Sequence, residues 1–248
     1  MPLGILGRKL GQTRVYDAKG IITPVTIVAV GPNRVIQVKT QDSDGYNAVQ
    51  LGFDDQKEHR LTKPLLGHIK KHNSAAVKRI REFRDFTLPV KPGDLVGANI
   101  FTPGDFIDAI GLTKGRGFEG VMKRHHFRGG DATHGAKGWR RRSGAIGQRL
   151  FPGTVMRGMR MPGHMGQVQR TTQNLEIIQV REDDNLLLIR GAIPGANNDY
   201  VIIRESKKLP KGSEAAKLRR EPKTATKTKV GAAKAAAPAA KPAAAAKK

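Results

Sequence analysis

Residues 114–170 hold 13 lysines and arginines, 13 glycines and only two carboxylates, Glu119 and Asp131. No period of 2 or 3.6 runs through them, so they offer no apolar face for a core to bury. An aperiodic stretch of this length inside a compact domain is rare unless it is functional or disordered. Disorder fits badly. Phe118, Phe127, Trp139 and Phe151 are spread through it, and five of the chain's six methionines lie there (Met122, Met156, Met159, Met161, Met165), unlike the weakly hydrophobic composition of disordered chains. The reading left is a segment without a core of its own that folds against a partner's surface. Glycine lets the backbone approach such a surface closely, arginine contacts phosphates bidentately, and planar groups stack on bases. Trp139-Arg140-Arg141-Arg142 is the densest such combination, and the expected partner is RNA.

The distribution of charge supports the same division. Of 248 residues, 45 are Lys or Arg and 21 Asp or Glu, a net charge of +24. Residues 1–113 carry a surplus of 5 and residues 171–206 a deficit of 3, while 114–170 and 207–248 each carry a surplus of 11. A nearly neutral scaffold thus bears two cationic appendages, and a surplus of that size calls for a polyanionic partner. From about Lys207 the chain turns to Lys, Ala and Pro, with nothing larger than Ala after Ala232 among its apolar residues. Residues 207–248 are therefore expected to form a disordered tail, a non-specific electrostatic tether to nucleic acid. The lack of cysteine excludes disulfides, thiolate metal sites and a cysteine nucleophile. No run approaches the roughly 20 apolar residues of a membrane helix. Met1-Pro2-Leu3-Gly4 lacks the basic-then-apolar build of a secretion signal, so the cytoplasm is the expected compartment.

The scaffold reads as mainly β. Ile21–Val30 and Arg34–Thr40 are rich in Val, Ile and Thr and are separated by Gly31-Pro32-Asn33. Val49, Leu51 and Phe53 alternate after the turn signal Ser43-Asp44-Gly45. Leu175–Val180, Leu186–Arg190 and Tyr200–Arg204 are short apolar runs between turn clusters. Short strands at this spacing predict a closed barrel or a sandwich. One helix is predicted where Ala76, Val77, Ile80 and Phe83 form an i, i+3/i+4 stripe, with Lys78, Arg79, Arg81 and Arg84 read first as its solvated face and, as the alternative, as an RNA contact.

Three chemical readings of the basic segment are weaker. Gly115-Arg116-Gly117-Phe118-Glu119-Gly120 matches a dinucleotide fingerprint, but the next six residues, Val121–His126, are too basic and too short a run for the required apolar helix. His125, His126, His134 and His164 lack the cysteine or carboxylate company of a metal site, and nearby arginines oppose a dication. Ser143 and His134 have only Asp131 near them, too little for a hydrolase. No catalytic residue, metal or cofactor is expected. A DNA-compacting protein stays open as an alternative, because such a role needs only the Lys/Ala/Pro tail.

Longer motifs narrow the choice. Thr113–Phe118, Val121, Lys123-Arg124, Phe127 and Asp131–Gly135 together resemble the bacterial form of the ribosomal protein L3 family. So do Gly144–Gln148, Phe151–Val155, Met161–Gly166, the opening Gly4–Arg14 and Asn185–Gly195. The resemblance runs in order through roughly residues 1–206. It implies a six-stranded barrel of the translation-protein type, formed by 1–113 and 167–206 with a small α-containing insertion at about 56–100. It also implies a long loop, here 114–166, that penetrates ribosomal RNA towards the peptidyl-transferase centre. The implied function is structural and not enzymatic: direct binding to 23S rRNA near its 3′ end, early in large-subunit assembly, beside the large-subunit proteins numbered fourteen and nineteen. Many bacterial relatives have a glutamine, methylated in some, two places beyond the one matching Gln148. Leu150 stands there in this chain, and the modification is not carried over.

The candidate RNA contacts are Lys9 in the opening motif, then Lys114, Arg116, Lys123, Arg124, His125, Arg128, His134, Lys137, Trp139, Arg140, Arg141, Arg142, Gln148, Arg149, Arg157, Arg160, His164 and Arg170. Phosphate contacts fix position, while stacking by Trp139 and the histidines selects the site.

Overall fold

A computed structural model describes residues 3–16 and 20–213. In chain order the strands are β1 (Gly4–Tyr16), β2 (Ile22–Ala29), β3 (Asn33–Lys39), β4 (Ala48–Asp55), β5 (Val77–Arg84), β6 (Leu95–Val96), β7 (Phe106–Leu112), β8 (Gly117–Glu119), β9 (Gly163–Met165), β10 (Gln169–Arg181), β11 (Leu186–Arg190) and β12 (Tyr200–Glu205). The α-helices are short: α1 (Gln41–Asp44), α2 (Lys63–Lys71) and α3 (Val121–His125).

Six strands close into an antiparallel barrel in the order β1-β12-β7-β10-β11-β2, which removes the exposed edges that an open sheet would leave. The 13-residue strands β1 and β10 bend to serve two neighbours each, and their registers shift between Lys9 and Gly11 and between Thr172 and Leu175, as bulges allow. Alternate side chains fill the interior: Ile5, Val28, Ile107, Ala109, Ile177, Leu187, Ile189, Val201 and Ile203 are all fully buried. Gly7 is required where β1 crosses β2, since a Cβ there would sit 2.7 Å from Val28 Cγ1.

A second sheet, β5-β4-β3-β6, lies outside the barrel. The strands at residues 33–55 belong to it, so this layer begins well before residue 56. Asn33, fully buried, joins the two layers by accepting from the Leu6 N–H at 3.1 Å and donating to Leu6 O at 3.0 Å. Val35, Leu51, Phe53, Phe83 and Val96 extend the barrel's apolar cluster into the second sheet.

The helix predicted over residues 76–83 is instead strand β5, paired along its length with β4. Phe83 packs towards the barrel, whereas Val77 and Ile80 pack with Ile36 and Ile69 under α2. A strand covered on both sides needs apolar residues facing both ways, and here that need imitates a helical stripe. The true helix of this region is α2, whose Leu65 and Ile69, together with Leu61, close the small second cluster.

Most of the predicted tail, residues 214–248, lies outside the described residues. Residues 207–213 return to the barrel: Leu209 packs on Phe106, and Lys211 Nζ lies 3.3 Å from the buried Asp105 carboxylate.

Candidate nucleic-acid interface

Between Leu112 and Gln169 the chain leaves the barrel as an arm. The two ends pair as Gln169↔Leu112. Beyond them Thr113 N–H donates to Val168 O at 3.0 Å, Gln167 N–H to Thr113 O at 3.2 Å and Arg116 N–H to Met165 O at 2.9 Å. β8 and β9 then continue the stem, with Phe118 opposite His164. The close crossing depends on Gly166, whose φ is +78° and whose Cβ, if present, would lie 2.2 Å from Lys114 O. Any side chain at 166 collides with the opposite backbone.

At the end of the stem α3 turns the chain, and its Val121 is buried. Arg124 donates from Nη1 to Met161 O at 2.7 Å, and His125 Nε2 lies 3.1 Å from the same oxygen. Next, Gly130 N–H donates to Arg140 O at 3.0 Å, closing a loop over residues 130–140. Gly129 makes this approach possible at φ +77°, since a Cβ would lie 2.2 Å from Arg140 O and 3.1 Å from Met122 Cε. The G-x-G-x-x-G match at 115–120 thus falls on stem strand β8 and opens a helix of only five residues.

The candidate side chains lie almost entirely in solvent. Lys114, Arg116, Lys123, Arg128, His134, Lys137, Trp139, Arg140, Arg141, Arg142, Gln148, Arg149, Arg157, Arg160, His164 and Arg170 are exposed, and Arg124 and His125 are half-buried. Among the described residues only Lys123 of these cations has an ion pair, with Glu119 four residues before it. Trp139 is 61% exposed, and the Arg142 guanidinium lies 4.7 Å from its ring centroid, a cation–π contact that leaves the other indole face open.

Lys9 differs from the rest. It is buried, and its Nζ donates to Ile193 O at 2.9 Å and Gly195 O at 3.1 Å. Burial pushes its ammonium below the ordinary lysine range, and the nearby Lys114 charge adds to the effect. Its physical role is to hold the 193–195 loop against the arm's root, where a Cβ on Gly111 would meet Pro194 O at 2.8 Å. The cationic group is committed inside the body.

The arm also exposes large apolar groups that the sequence pattern did not single out as contacts. Phe118 is 78% exposed, and Leu150 and Phe151 are each 90% exposed. A sequence cue was present, in aromatics and methionines scattered through a segment that has no core, but it marked the segment and not these positions. Exposure of large apolar groups among cations is costly in water and suits a surface that becomes covered.

Comparison with known proteins adds a separate line of support. A family model described as Ribosomal protein L3 matches residues 85–186. The chain is 48% identical over 205 residues to "Large ribosomal subunit protein uL3" of Deinococcus radiodurans, covering 83% of this chain and 95% of the relative. The protein of the same name from Akkermansia muciniphila is 45% identical over 211 residues (84% and 100%), and that from Brachyspira pilosicoli 47% over 207 (83% and 94%).

Proposed function

Because the chain belongs to the ribosomal protein L3 family, we propose that it is a cytoplasmic, non-enzymatic structural component of the large ribosomal subunit that binds 23S rRNA directly near its 3′ end. It helps to nucleate assembly there, and its arm extends through folded RNA towards the peptidyl-transferase centre, beside the large-subunit proteins numbered fourteen and nineteen. The carrying observation is the arm's state in the free chain: ten of its Lys and Arg residues are exposed to water without a carboxylate partner among the described residues. Intramolecular packing does not use that charge, whereas phosphates would neutralise it with release of counterions.

The barrel and arm divide the work. The closed barrel fixes both ends of the arm at adjacent positions. The glycine crossings keep the arm narrow, and the arginines set its position on the backbone of the RNA. Trp139 and the histidines stack on unpaired bases, which gives the choice of site. The arm becomes more ordered on binding, as coupled folding requires.

Deletion of residues 114–166 tests the assignment, because the deleted segment contributes no residue to the barrel sheet. The shortened chain should keep its cooperative thermal transition and lose selective retention of large-subunit rRNA over bulk duplex DNA. Selectivity equal to that of the full chain would overturn the proposal and favour DNA compaction through the tail.

A further inference from the structure

Strand β5 is the outer strand of the second sheet, and its four cations play no part in the arm's binding. Outer strands often carry lysine or arginine to prevent edge-to-edge association. That explanation serves for Arg84, whose guanidinium rests over Tyr46, 4.9 Å from its centroid. It does not serve for Arg79 and Arg81. These two line a cleft between the second sheet and the barrel, facing Leu6, Ile110 and Ile202. Their positive charge is turned into a groove of the fold.

The cleft has an ordered aromatic floor. Tyr200 donates from its hydroxyl to Asp54 Oδ2 at 2.5 Å, and Arg8 Nη2 donates to the same oxygen at 2.6 Å. The Arg79 guanidinium carbon lies 4.8 Å from the Tyr200 centroid, with Arg8 and Lys78 within 5.6 Å. Four cations therefore meet two carboxylates, Asp54 and Asp199. Asp54 is held by Tyr200 and Arg8, with the Lys78 ammonium 4.0 Å from the same oxygen, and Asp199 accepts the Ala196 N–H at 2.7 Å. Glu82, the acid of β5, pairs with Lys39 at 3.0 Å. Arg81 has no carboxylate partner among the described residues.

The cleft's position supplies the rest. Leu112 and Gln169 also line it, and they are the last pair of the barrel before the arm begins. Its volume, about 240 Å³, lies under the roughly 300–1,000 Å³ of small-molecule sites. A polymer that lies along the groove and projects one group into it fits better.

We propose that this cleft is a second ribosomal-RNA site: it takes a strand leaving the root of the arm, with phosphates on Arg81 and Lys78 and a base on the Arg79 guanidinium. The inference rests on the proposed rRNA-binding function. An arginine guanidinium beside an aromatic ring can also offer a planar face to a base, and a groove in which four cations outnumber Asp54 and Asp199 suits the sugar–phosphate backbone.

The test uses the full-length chain and purified large-subunit rRNA, with Arg79→Glu/Arg81→Glu compared with the equally charged control pair Lys78→Glu/Arg84→Glu, with Arg84→Glu alone, and with Arg140→Gln/Arg141→Gln/Arg142→Gln. Thermal melting checks folding, and Arg79→Gln/Arg81→Gln serves if the reversed pair melts early. The expected result at 100 mM salt is a loss of at least about tenfold in affinity for the 79/81 pair and less than about twofold for Arg84→Glu. The 78/84 pair should fall between them. Losses for the 79/81 variants no larger than for Arg84→Glu would overturn the proposal. If the arm variant still loses affinity in that case, the main functional reading survives; if neither loses it, both fail. Normal rRNA affinity combined with exclusion from assembled subunits would also overturn it, since the cleft would then serve a protein neighbour.

Discussion

Replacing Arg140, Arg141 and Arg142 by glutamine removes three exposed charges, none of them in an ion pair with a described carboxylate. Each is thus free to neutralise one phosphate. Counterion release contributes about 0.7 to 0.9 to the slope of log affinity against log salt for each contact. The triple variant should therefore flatten the slope by about 2.1 to 2.7. Between 50 and 200 mM salt the wild-type affinity for large-subunit rRNA should consequently fall about 20–40-fold further than that of the variant. Filter binding or titration calorimetry at four salt concentrations reads this directly. Since all three side chains lie outside the core, the melting temperature should not change. An unchanged slope would refute the reasoning, because the run would then be a solvated face that never meets phosphate. A slope change near two-thirds of the expected value, with Arg142→Gln alone silent, would show that Arg142 stays on the Trp139 ring in the complex.

Trp139→Ala should weaken rRNA binding by about 1–3 kcal/mol through lost stacking with little change in the salt slope; a change in slope alone would mean that the indole positions Arg142 and touches no base. Gly129→Val should disorder the 130–140 loop, because it combines a positive φ with a clash on Arg140 O, a conformation costing about 1–2 kcal/mol before the clash is counted. Amide exchange should quicken in the arm and not in the barrel; equal protection would contradict this. Lys9→Met leaves the carbonyls of Ile193 and Gly195 without their donor, at about 1–3 kcal/mol for each group left unpaired. The melting temperature should fall by roughly 2–4 °C per kcal/mol, and an unchanged melting curve would mean that water replaces the ammonium. For Asp54 and Asp105, burial alone would raise the carboxyl pKa, but the hydrogen bonds and cations outweigh it: Tyr200 and Arg8 at Asp54, Thr102 and Lys211 at Asp105. Both values therefore lie below the ordinary 3.8, so their stabilisation is complete above that pH and is lost as pH falls through the lower folded values. Asp105→Asn should shrink the acid limb of a melting-temperature profile, and a profile parallel to wild type would refute the linkage.

Where the chain carries charge without an apolar period was legible from residue types alone. A stretch with cations, glycines and aromatics but no period has no face to bury, so the segment around Trp139 had to leave the core whatever fold surrounded it. The strands at Leu186–Arg190 and Tyr200–Arg204 were equally plain, because each is a short apolar run bounded by turn clusters. β5 was misread for the opposite reason. Packing on both sides put apolar residues at Val77, Ile80 and Phe83, a spacing that only the position of α2 and the barrel distinguishes from a helix. Lys9 shows the same limit at one residue, since a lysine in a basic chain reads as a phosphate contact until Ile193 and Gly195 are found within hydrogen-bond reach.

What residue composition settled about this chain was where its charge lies and that the charge belongs to no core, since both follow from local chemistry. What only the tertiary structure decided was which cations remain free, and where Arg79 and Arg81 meet Tyr200. The contact of Arg79 with Tyr200 and the burial of Lys9 against Ile193 and Gly195 join residues more than a hundred positions apart, and local pattern carries no record of such distances.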